Sequence, residues 1–162
     1  MTRADLTDEQ LARLRASGIR LDAEGRFVHE GAPVRHAGLR AALWRWLDRD
    51  PDGRYVLRLD EQRFVYLDVD DAPHFVRSLR VEGARVILLL ADGSEEPLDA
   101  STVTLDARGV AYCAVKAGRF RARLAPSAWA ALGDRIEEEE GVAWLRDGEV
   151  RYRLGLVGGA DS

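Results

Sequence analysis

The chain has one cysteine, Cys113, one lysine, Lys116, and no asparagine at all. A lone cysteine closes no intramolecular disulfide and builds no cysteine-rich zinc site, so a reducing compartment, the cytoplasm, is expected. Long apolar runs are missing too. Residues 86–91 form a run that none exceeds, which suits a strand and falls far short of a membrane span. Residues 1–5 lack the apolar core of a secretory signal, and no membrane partner is expected. Absent as well are a phosphate-cradling glycine loop, a nucleophile elbow around any serine, and a His-Glu-x-x-His zinc string. His29-Glu30 is followed by Pro33 where the second histidine of such a string belongs. Excess positive charge is lacking: the net charge is −4, which argues against bulk nucleic-acid binding. The scarcity of lysine and asparagine reads as coding bias, so the number of arginines carries no functional weight, although their placement does.

What is present suits an ordinary globule. Of 162 residues, 46% are apolar and 32% charged, enough to bury a core without metal or disulfide help. Thr7 followed by Gln10 makes a capping box for a first helix that Gly18 closes. A second helix is expected over residues 37–48, with Leu39, Leu43, Trp46 and Leu47 on one face. Pro126 opens a third, carrying Trp129, Leu132 and Ile136 inward and ending near Gly141. Elsewhere short alternating runs are separated by Glu30-Gly31, Glu82-Gly83, Asp92-Gly93, Ala117-Gly118 and Asp147-Gly148, which are hairpin turns. The expected fold is α+β, with mostly antiparallel, hairpin-rich sheets and about three helices. A hairpin-helix-strand order recurs over residues 27–59 and 113–154, with Gly31 matching Gly118, Leu43 matching Leu132 and Leu47 matching Ile136. This suggests a duplication into two similar small halves, residues 1–75 and 76–155 of one compact unit, with a frayed tail over 156–162.

Three groups of residues are candidates for a site. Asp48, Asp50 and Asp52, followed by Gly53, have the ligand spacing of a calcium loop. Leu59 stands where the closing bidentate glutamate belongs, and Pro51 stiffens the loop, so an ordinary Asp-Pro-Asp-Gly turn is the better reading and no metal or other cofactor is expected. His29, His36 and His74 are scattered along the chain, and Cys113 lies inside an apolar strand, as a core thiol would. No catalytic residue is assigned. The arginines are more informative. Arg119, Arg121 and Arg123 share one face of their strand, and Arg151 and Arg153 share one face of theirs. If both strands lie in one sheet, five guanidiniums cluster as a seat for phosphate or carboxylate. The competing reading is neutralisation by the acids at residues 137–140, placed at the end of the third helix.

The segment from Gly25 through Arg26, Phe27, Val28, His29, Glu30, Gly31, Ala32 and Pro33 to Val34 resembles the opening of a bacterial family, domain-of-unknown-function family 1285. Asp52-Gly53-Arg54-Tyr55 and Val69-Asp70-Asp71-Ala72-Pro73 are similar to its next landmarks, in the same order, so that the likeness spans residues 25–155. The segment between Leu59 and Phe64 departs from the family pattern, and His74 reads as an insertion. The resemblance implies an α+β fold in two small halves and brings no activity with it. From the residues, the leading expectation is a non-catalytic binding or adaptor domain that self-associates. A homodimer would form through residues 86–90, which are apolar on both strand faces. The alternative is an enzyme or sensor for a small anionic ligand, using the arginine face with His29 or His36 as its acid-base group.

Overall fold

Turns that demand left-handed backbone set the architecture. The computed structural model describes residues 16–157, and the chain divides into two compact units, Met1–Asp71 and Ala72–Ser162. In the first unit the strands are β1 (Ala16–Leu21), β2 (Phe27–His29), β3 (Ala32–Pro33), β4 (Leu47–Arg49), β5 (Tyr55–Arg58) and β6 (Phe64–Val69). They form one sheet in the order β3-β2-β1-β6-β5-β4. Glu30 and Gly31, at φ +50° and +86°, close the β2–β3 hairpin, where the twist of a two-residue loop requires positive φ. The capping box at Thr7 and Gln10 lies outside the described residues. Gly18 does not end a helix. It sits inside β1 at φ +75°, where the register of β1 against β6 shifts between Ala16 and Arg20.

Helix α1 (Ala37–Trp46) is capped by His36, whose Nδ1 accepts the Leu39 N–H at 3.1 Å. It ends earlier than its apolar spacing suggests, because Leu47 starts β4 and pairs with Leu57. Leu39 is 44% exposed, so the buried stripe is Ala42 and Leu43. Leu43 joins Leu21, Phe27, Leu47, Leu57 and Leu67 in the core, and the Phe27 ring meets Trp44 edge-on at 4.7 Å.

The second unit holds two sheets. β7 (His74–Glu82), β8 (Arg85–Leu90), β9 (Glu95–Pro97), β10 (Thr104–Asp106), β11 (Ala111–Val115), β12 (Phe120–Leu124) and β16 (Gly155–Val157) run in the order β16-β10-β11-β12-β7-β8-β9. β13 (Ile136–Glu139), β14 (Val142–Asp147) and β15 (Val150–Arg153) form an antiparallel meander. Hairpins supply most contacts, but β1–β6, β7–β12 and β10–β16 are parallel. The unit boundary falls before residue 75, since His74 and Val76 already pair with Ala122 and Leu124. Leu156 and Val157, expected in a frayed tail, pair with Leu105 and Asp106.

The third helix is shorter than its sequence suggests. Helix α2 (Pro126–Ala131) gives way to a 3-10 turn, Gly133–Arg135, and Ile136 begins a strand. Hairpin-helix-strand-strand order therefore runs through β2–β3, α1, β4 and β5 and again through β11–β12, α2, β13 and β14. Among the described residues no helix is long and apolar enough to cross a membrane.

Candidate functional site

Strand alternation builds the arginine row of β12. Phe120, Ala122 and Leu124 are buried, while Arg121 is exposed and Arg123 half-buried on the opposite face. Arg119 precedes the strand, in the turn from β11. Register places Tyr112 beside Arg123 and Ala114 beside Arg121. Tyr112 is only 2% exposed. The Arg121 guanidinium lies 4.2 Å from its ring centroid, a cation–π contact, and Arg108 Nη2 donates to its hydroxyl at 3.2 Å. Asp106 in turn fixes Arg108, accepting from Nε at 3.0 Å and from Nη2 at 2.6 Å. The result is a tyrosine touched by two guanidiniums, with Arg123 beside it in register, on one face of the seven-stranded sheet.

Arg151 and Arg153 are elsewhere. Their strand, β15, belongs to the meander, so the five arginines expected on one sheet are divided between two. Residues 137–139, expected at a helix end, are strand residues, and alternation puts Glu137 and Glu139 on the same face as Arg146 and Arg151. Arg151 Nη2 donates to Glu139 at 2.8 Å and Nη1 to Glu137 at 3.5 Å, while Arg146 Nε donates to Glu137 at 2.7 Å. The Arg146 hydrogen bond holds the Glu137 carboxyl below its ordinary range. The Trp144 ring lies 4.4 Å from the Arg151 guanidinium. Neutralisation of Arg151 is thus local, reached through strand pairing.

The remaining chemistry-bearing side chains occupy packing positions. Cys113, Ala122 and His74 form one lateral row across β11, β12 and β7 on the buried face. Two strand spacings separate the thiol from the imidazole, about 10 Å, too far for a nucleophile and its base. Burial pushes the Cys113 thiol up to about 12, with Glu96 and Asp99 adding to it. Burial pulls His74 down to about 4, opposed by Asp92 and assisted by Lys116.

Sequence reasoning overlooked Lys116. Its backbone is left-handed at φ +56°, its N–H reaches both carboxylate oxygens of Glu96 at 3.1 Å, and its Nζ donates to Asp92 Oδ2 and Ser94 Oγ at 2.8 Å each. A serine beside a lysine suggests a catalytic dyad. That dyad needs an amine free to accept the hydroxyl proton, and here the lysine Nζ donates to the Asp92 carboxylate. Burial opposes ionisation of Asp92, yet the Lys116 and Ser94 hydrogen bonds prevail and keep its carboxyl below the ordinary range. The signal in the sequence was only that this lysine is unique.

In the first unit, Asp48 pairs with Arg58 at 3.5 Å, and Asp50 and Asp52 both accept the Arg54 N–H, at 3.0 and 3.2 Å. Asp48 lies in β4, which separates Asp50 and Asp52 from the helix they were expected to follow directly. Among the described residues no group of three or more histidine, cysteine, aspartate or glutamate side chains is placed to hold a metal ion. His36 is occupied as a helix cap, and His29 lies 3.9 Å from the Glu30 carboxylate.

No family model and no curated protein matches the chain. Two crystal structures are similar to it. A DUF1285 family protein from Silicibacter pomeroyi DSS-3 superposes with a TM-score of 0.70 at 21% identity, over 90% of this chain and 83% of that one. A DUF1285 family protein from Shewanella baltica OS155 gives 0.60 at 15% identity, over 74% of this chain and 93% of that one. At these identities the likeness is one of fold: the chain has a DUF1285-like fold.

Proposed function

We propose that this protein is a non-catalytic binding domain whose second unit receives a small anionic ligand on the arginine face around Tyr112. The observation that carries the reading is the contact of Arg108 and Arg121 with one buried tyrosine, with Arg123 beside it in register and Arg108 oriented by Asp106. Planar guanidiniums on a rigid ladder suit the paired oxygens of phosphate or carboxylate. The non-catalytic part is supported by the uses already made of the reactive groups: Cys113 and His74 in the core, and Lys116 on Asp92. The deciding measurement is the melting temperature with and without phosphate, nucleotides and dicarboxylates, in the wild type and in Arg121→Ala. An upward shift lost in Arg121→Ala is expected. If no anion moves the wild-type curve, the ligand reading falls.

Self-association is the second part of the proposal. The strand that prompted it is covered: Val86, Ile87, Leu88 and Leu90 are each less than a tenth exposed within the chain. What supports it now is the exposed Val81, 55% accessible in β7 and paired with Val86. Sedimentation at high micromolar concentration tests it, and a monomer alone would remove it.

A further inference from the structure

The outer strands of these sheets differ in how they meet solvent. β3 ends in Pro33, β9 carries Glu95 and Glu96 and ends in Pro97, and β13 carries three glutamates. Proline removes a ladder donor, and the acids repel an incoming strand that is itself acidic. β15, Val150–Arg153, has neither proline nor acid, and among the described residues it pairs on one side only, with β14. Val150 is 51% exposed, and Arg153 is exposed with no ion pair among the described residues.

The orientation of its backbone follows from the hairpin. The two-residue loop Gly148-Glu149 makes Asp147 and Val150 the closing hydrogen-bonded pair, so the bonds to β14 come from Val150 and Tyr152. The Leu154 N–H continues that set, donating to Ala143 at 3.0 Å. The main-chain groups of Arg151 and Arg153 therefore point outward, and their side chains stand together on the face that holds Trp144.

We infer that the edge of β15 receives an extended acidic strand from a partner protein, by β-augmentation. Complementary charge selects the occupant. Arg151 is already held by Glu137 and Glu139, so a glutamate on the incoming strand would face Arg153, and small apolar residues would face Val150 and Tyr152. A second copy of β15 laid antiparallel would set arginine against arginine, which disfavours pairing with itself. β15 belongs to the three-stranded sheet and Tyr112 to the seven-stranded one, so Arg121→Ala should abolish anion binding and leave strand binding intact.

The test uses the whole protein with a capped peptide alternating glutamate and valine, and a lysine-valine peptide as control. Amide exchange at Arg151 and Arg153 should slow at least tenfold with the acidic peptide and not with the basic one. Arg153→Glu should remove that protection while its melting temperature stays within a few degrees of the wild type. Protection by both peptides, binding of the acidic peptide without slowed exchange at these two amides, or unchanged protection in Arg153→Glu would each overturn the inference. So would protection that grows with protein concentration alone, which would assign the edge to a second copy.

Discussion

His74 is neutral in the fold and free to protonate once the chain unfolds. Its value of about 4 lies below the ordinary 6.5, so between those limits the unfolded chain binds the extra proton. Stability is therefore undiminished above about pH 6.5 and falls as pH drops toward 4, by roughly 3 kcal/mol from this group. Denaturant titrations across that window should show a shallower decline in His74→Leu than in the wild type, and parallel slopes would refute the assignment. Cys113 makes a second prediction at this scale. Buried and held near 12, it should resist iodoacetamide at pH 8 in the native protein and react within minutes once unfolded. His36 makes a third. His36→Ala should destabilise the first unit by about 1 kcal/mol through loss of the α1 cap, whereas His36→Asp should preserve it. A histidine in that position gives little sign of capping in the sequence, because serine, threonine, aspartate and asparagine are the usual signals.

At the scale of the element, turns were the most legible feature. Glu30-Gly31, Gly83, Gly93, Ala117-Gly118 and Gly148 all fall where glycine made them visible, and each of these glycines has positive φ. Ala117, at φ +59°, is a left-handed residue with no side-chain hydrogen bond to offset the strain. Ala117→Asn should raise stability by about 0.5–1 kcal/mol, read from the denaturation midpoint, since asparagine tolerates this conformation. A lowered midpoint would show that the strain is relieved in some other way. Helix ends were far less legible. Residues 136–139 follow a helix and contain three glutamates, good helix formers, yet they become β13 because Ile136 and Glu137 pair with Leu145 and Trp144. Propensity is worth a few tenths of a kcal/mol per residue and yields to a ladder of that kind. The arginine alternation of β12 and of β15 was visible within each strand. That the two belong to different sheets was not, because sheet membership depends on partners far along the chain.

For the whole molecule, the same limit applies to topology. The α+β class and the hairpins were readable from local pattern, whereas the parallel pairings β1–β6, β7–β12 and β10–β16 join segments that no turn connects. The last of these returns the end of the described chain to the edge of the seven-stranded sheet. Truncation after Leu154 should therefore cost about 1–3 kcal/mol, the worth of a few ladder hydrogen bonds, with the remaining sheet intact. A truncated protein as stable as the full chain would show that this pairing contributes nothing.

The solitary lysine has a practical consequence. Apart from the amino terminus, the chain offers amine-directed reagents one target, and in the native state Asp92, Ser94 and Glu96 hold that target by both its side chain and its backbone. Acylation at Lys116 must wait for the turn to release its ammonium. The rate at which an active ester labels this position, followed by the mass of the peptide that carries it so that the amino terminus is counted apart, is then a clock for the opening of one corner of one sheet, with no engineered probe.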